Sequence, residues 1–181
     1  MFGLKKRRLY SVTPTSETMT GSGPTRYLLE DGRLYLAHDP RIAFEVFSNL
    51  VRSGRNGLLI SRVFPEDVRK DYGLKTTPIR WLADEAGQDS IPPRDLLGIS
   101  LTVKDFISKA MKPVVMLHGI EYLTTYNGFN PIIRLIQGFS ESVATKRGII
   151  ILPVIPDALS KQDEALLVSE TTPLPMPAES R

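Results

Sequence analysis

The sequence predicts an α/β protein: a mostly parallel sheet with helices on both faces, preceded by an N-terminal β-hairpin. Three observations carry this expectation. Short apolar runs without alternation, such as Leu58-Leu59-Ile60, Val114-Val115-Met116-Leu117 and Ile149-Ile150-Ile151-Leu152, read as strands buried on both faces. Segments with apolar residues at helical spacing separate them. Gly, Pro and Asp-Pro steps punctuate the junctions.

Residues 27–36 read as a hairpin around Asp31-Gly32. Asp39 then caps a helix with Pro40 in its first position; Ile42, Ala43, Val46, Phe47, Leu50 and Val51 share one face, and Gly54 ends it. Residues 57–61 form a buried strand. Pro65 opens a helix that reaches Tyr72 and stops at Gly73. Residues 77–82 are strand-like, residues 83–95 a polar loop, and residues 102–110 a helix with Val103, Phe106 and Ile107 inward. The strand 114–117 runs into a polar elbow, His118-Gly119-Ile120-Glu121. Asn130-Pro131 starts a long helix to about Thr145, residues 148–154 are the last buried strand, and residues 163–169 a closing helix.

The 181 residues suit one domain with flexible ends. Residues 1–25 read as a basic, Ser/Thr-rich tail, residues 26–170 as the folded domain, and residues 171–181, with prolines at alternate positions, as a flexible C-terminal tail. No run reaches the ~18 apolar residues of a membrane span, and the N-terminus lacks the apolar core of a secretory signal. The chain has no cysteine, which excludes disulfides and thiolate metal sites and fits a cytoplasmic protein. Its two histidines stand far apart, so no metal site is expected. The pI near 9.2 is a property of one end. Lys5, Lys6, Arg7 and Arg8 outnumber the formal net charge of +3, so the rest of the chain is slightly acidic and lacks the basic face of a nucleic-acid-binding domain.

Taken in order, Tyr27-Leu28-Leu29, residues 57–62, Pro65, residues 77–82 with their Trp81-Leu82 pair, Pro92-Pro93-Arg94-Asp95-Leu96 and His118-Gly119-Ile120-Glu121-Tyr122-Leu123 resemble one family. The sequence resembles the DUF835 family, found mainly in archaea, alone or attached to sensory and signalling modules. The resemblance implies a RecA-like or Rossmann-like three-layer fold, distantly similar to RecA/KaiC-type ATPases, and a regulatory or scaffolding role. One position departs from the family. Relatives usually carry Asp before the Gly-Ile-Glu elbow, where this chain has His118. A neutral imidazole is a poor ligand for magnesium, which takes oxygen.

No Gly-x-x-x-x-Gly-Lys-Ser/Thr phosphate loop occurs in the chain. The expectation is therefore a non-enzymatic interaction module without a cofactor and without catalytic residues, working on a protein partner or on itself. Two alternatives stand beside it. In the first, the strand ends bind a nucleotide or metabolite without hydrolysing it, through Arg62, Arg80, His118 and Glu121. The competing structural reading has the arginines paired with Asp67, Asp84, Asp95 or Glu121, and Glu121 meeting backbone N–H groups. In the second, Lys5, Lys6, Arg7 and Arg8 touch nucleic acid or an anionic membrane surface through residues 1–10, against the plainer reading of a solvated terminus. Trp81 is expected in the core, and His38 in an exposed turn.

Overall fold

Seven parallel strands form the centre of the molecule, in the order β6-β5-β4-β7-β8-β3-β9. The computed structural model describes residues 8–12, 25–85 and 87–175. In chain order the elements are β1 (Arg8–Val12), β2 (Thr25–Leu29), β3 (Arg33–Ala37), α1 (Pro40–Arg52), β4 (Asn56–Ser61), α2 (Pro65–Tyr72), β5 (Ile79–Leu82) and β6 (Ser90–Ile91). They continue with α3 (Leu96–Lys109), β7 (Pro113–Leu117), α4 (Ile120–Asn127), α5 (Phe129–Lys146), β8 (Ile149–Pro153), α6 (Lys161–Glu170) and β9 (Thr172–Pro173).

The continuous apolar runs are the interior strands β4, β7 and β8, and the pleat divides their side chains between two cores. Leu59, Val114, Met116, Ile149 and Ile151 meet Ala43, Phe44, Phe47 and Leu50 of α1 and Val68 of α2. Leu58, Ile60, Val115, Leu117, Ile150 and Leu152 meet Ile99, Val103 and Ile107 of α3, Leu123 of α4, Ile136 and Phe139 of α5, and Leu167 of α6. Helices therefore cover both faces. From β4 the chain leaves through α2 on one face; from the adjacent β7 it leaves through α4 and α5 on the other. Neighbouring strands whose helices depart to opposite faces leave a crevice at their carboxyl ends.

Several expectations change. Asp31-Gly32 does turn the chain, with Gly32 at φ +82°, but β2 and β3 do not pair across it. β3 is buried on both faces and joins β8 in parallel, with Tyr35 opposite Ile151. The N-terminal antiparallel pair is β1 with β2, Arg8 opposite Leu29 and Val12 opposite Thr25. Residues 8–12 and 25 thus form strands where the sequence suggests a flexible tail. At the other end Thr172–Pro173 adds β9 to the sheet edge, and Leu174 N–H donates to Leu36 O at 2.7 Å. Helix α3 begins six residues earlier than its apolar spacing indicates. Asp95 accepts from Gly98 N at 2.8 Å and starts it, while Leu97 and Leu101 face solvent and blur the periodicity. The polar stretch before it holds the short strand β6. Helix α5 starts at Gly128-Phe129 rather than at Asn130, leaving Pro131 in its first turn, where no N–H is required.

Candidate functional site

The carboxyl edge of the sheet at β4 and β7 brings Arg62, His118 and Glu121 into one neighbourhood. The His118 backbone N–H donates to Ile60 O at 2.9 Å, carrying the β4–β7 pairing one residue past the strand. Its side chain falls on the α1 face, edge-on to Phe44 with ring centroids 5.3 Å apart. Ser61 Oγ lies 3.1 Å from His118 Nδ1 and also accepts the Val63 N–H at 3.0 Å. Burial, and secondly the Arg62 guanidinium, lower the His118 pKa from 6.5 to about 4. The imidazole is neutral at physiological pH. Among the described residues no group of three or more His, Asp or Glu side chains is placed to hold a metal ion.

Gly119 follows at φ +109°, a conformation that favours glycine, and turns the chain into α4. A Cβ at this position would lie 3.6 Å from Arg62 Cβ and from Leu82 Cδ1, so the elbow sits closely against β4 and β5. Glu121 is in the first turn of α4, where the helix dipole favours a carboxylate, and its Oε2 is buried without a hydrogen-bond partner.

The arginines are held mainly by aromatic rings. Arg62 stacks over Tyr122 at 4.3 Å from the ring centroid, and Arg94 over Tyr126 at 5.0 Å. Tyr122 and Tyr126, one turn apart on α4, meet edge to face at 4.9 Å. The Tyr122 hydroxyl donates to the Tyr126 hydroxyl, which in turn donates to Asp84, each at 3.4 Å. The neighbouring Tyr122 and, after it, Asp84 raise the Tyr126 pKa above its usual value, since a second negative oxygen here is disfavoured. Trp81 is not in the core. It is half-exposed, donates Nε1–H to Arg62 O at 3.1 Å, and stands edge-on to Phe64, which is 49 % exposed. The result is a platform of Arg62, Phe64, Trp81, Tyr122, Tyr126 and Arg94 along the strand ends.

Arg80 does not join this group. Its side chain pairs with Asp89 and lines a cavity at the amino ends of β4 and β5. His38 is exposed, as expected, with Nδ1 3.5 Å from Glu164 Oε1. Lys5, Lys6 and Arg7 lie outside the described residues, and Arg8 begins β1. The sequence gives no direct sign that Phe64, Tyr122 and Tyr126 gather here with Arg62 and Arg94. The i, i+4 spacing of the two tyrosines is the available signal, hidden because α4 follows the polar elbow without an apolar periodicity of its own.

The connection between β3 and α1 is the second notable feature of this edge. It consists of His38 and Asp39 alone. Pro40 has no N–H, Asp39 Oδ1 accepts from Arg41 N at 2.9 Å and Ile42 N at 3.4 Å, and Ala43 N donates to Asp39 O at 3.1 Å. Every backbone donor of the first turn is satisfied within the protein, and a carboxylate occupies the positive end of the helix.

Strand order and the two helical layers define a RecA-like α/β protein. The chain belongs to the family described as protein of unknown function (DUF835), whose model matches residues 37–171. Two solved structures share the fold. The flagellar accessory protein FlaH from Methanocaldococcus jannaschii superposes with a TM-score of 0.56 at 13% identity, covering 78% of this chain and 69% of that one. A protein from Pyrococcus horikoshii OT3 superposes with a TM-score of 0.52 at 10% identity, covering 81% of this chain and 84% of that one. No curated protein matches the sequence. No helix among the described residues is long and apolar enough to cross a membrane.

Proposed function

We propose that this protein is a non-hydrolysing interaction module with a RecA-like fold, acting on a protein partner through the carboxyl edge of its sheet. The observation that carries this reading is the start of α1. There, the site where a helix N-terminus would cradle phosphate is filled by Asp39, and the two-residue connection leaves no loop to wrap one. His118 supports it: a neutral imidazole at the end of β7 offers magnesium no oxygen. In this reading the partner docks on the platform. Trp, Tyr and Arg dominate binding hot spots, and here they are concentrated at one edge and partly exposed. The likeness to a flagellar accessory protein is a likeness of fold and is compatible with a role in an assembly.

The test has two arms. Thermal melting with and without magnesium–ATP is expected to show no shift, where a ligand at 100 times its Kd would stabilise by about 2.7 kcal/mol. ATP turnover that disappears in Glu121→Gln overturns the reading. Affinity purification from the native cell, with wild type and a Phe64→Ala/Tyr126→Ala variant of unchanged melting temperature, is expected to recover a partner that the variant loses. Identical partners from both proteins would remove the platform from the proposal.

A further inference from the structure

A cavity of about 590 Å³ opens at the amino ends of β4 and β5, beneath α3, at the end of the sheet away from the platform. Its origin lies in the pattern of β5. Ile79 belongs to the α1/α2 core and Leu82 to the α3–α6 core. The pleat therefore turns Arg80 to the same face as Leu82. An apolar side chain there would fill the space under α3. A guanidinium drawn outward by Asp89 leaves it open.

The walls have two characters. Leu58, Phe106, Ala110 and Pro78 make an apolar floor and side. Around it stand Arg55, Arg80 and Lys109, and Asp105, the single carboxylate of the lining, pairs with Lys109 at 2.7 Å. The acids that pair with the two arginines, Asp31 and Asp89, come from outside the lining. Arg55 is 5% exposed, so part of this wall of ion-paired side chains is built into the protein rather than spread on its surface. The Thr77 and Thr102 side chains also line the space. A volume of this size matches small-molecule sites, which are mostly apolar with a few convergent polar groups. Arginine's planar fork offers more donors than one carboxylate uses, and it fits a second.

We propose that this cavity binds a small organic acid with a flat apolar body. The carboxylate meets the Arg80 donors that Asp89 does not engage, and the body lies against Phe106 and Leu58. The proposal is independent of the platform, since the two share no residue.

Nitrogen–proton NMR titration of the full chain tests it, with 1-naphthoate and its neutral analogue 1-naphthalenemethanol as probes. Naphthoate is expected to give saturable shifts at the Gly57, Thr77 and Phe106 amides, and the alcohol to bind about tenfold more weakly for want of a charge-assisted hydrogen bond. Arg80→Gln should erase the difference between acid and alcohol. Thr102→Phe should fill the cavity and abolish both, and the dispersion of each spectrum reports whether the variant is folded. Equal affinity of wild type for acid and alcohol, non-saturable shifts, or shifts centred on His118 and Tyr122 would each overturn the proposal. The wild-type comparison decides the question even if a variant fails to fold.

Discussion

Ser61 Oγ and His118 Nδ1 lie 3.1 Å apart across the two strands whose helices leave on opposite faces of the sheet. The serine hydroxyl also accepts the Val63 N–H, so it ties the imidazole to the turn that presents Phe64 and Arg62. A histidine held neutral by burial is a source of acid sensitivity. Below pH 6.5 the unfolded chain takes up a proton at this side chain, and the folded protein does not until pH falls to about 4.

The His118 contribution to stability is therefore complete above pH 6.5 and is lost as pH falls from 6.5 to 4. With a folded pKa near 4, the loss is about 3 kcal/mol at most. Urea unfolding of wild type and His118→Asn across this range should show curves that converge as pH drops. Parallel curves would mean that the imidazole titrates normally.

Asp39→Ala removes the side-chain acceptor of Arg41 and Ile42 at the start of α1. The expected loss is about 1 kcal/mol, typical of a lost N-cap, read as a lower urea midpoint at unchanged slope. A loss near zero would show that water satisfies these donors as well as the carboxylate does.

Asp31 pairs with Arg55, whose side chain is 3% exposed. This pair ties the turn before β3 to the start of β4. Asp31→Ala takes away a carboxylate that pairs with a buried guanidinium, and we expect a loss of up to about 3 kcal/mol in denaturant melts. Asp31→Ala combined with Arg55→Met should recover part of that loss, because the guanidinium is then removed with its carboxylate.

Gly57 begins the buried part of β4, where a Cβ would lie 2.5 Å from Val51 Cγ2 and 3.1 Å from Phe47 Cζ. Gly57→Ala should cost about 1–3 kcal/mol through overpacking. Val51→Ala in the same chain should relieve the closer contact, so the two losses should sum to more than the double variant shows.

Much of the architecture was legible because burial on both faces writes itself into composition. Strands β4, β7 and β8 appear as unbroken apolar runs, and α1 and α2 end where Asp39-Pro40, Gly54, Pro65 and Gly73 place their signals. Errors arose where a local signal was true but insufficient. Asp31-Gly32 turns the chain, yet whether β3 pairs with β2 or with β8 depends on which surface Tyr35 and Leu36 bury, and that partner lies over a hundred residues away. The apolar spacing marks only the second part of α3, because Leu97 and Leu101 face solvent, against the periodicity that marks a helix.

The chain alone determined the three-layered α/β class, the short β3–α1 junction without a phosphate loop, and the elbow that carries His118 and Glu121. These are properties of neighbours in sequence, encoded by spacing, caps and turns. Only the tertiary structure decided that Arg62 rests on Tyr122, that Trp81 lies outside the core, and that Arg80 serves a different end of the molecule from Arg62. Those facts follow from strand order and pleat, which bring distant residues together or send near ones apart, and no local pattern specifies either.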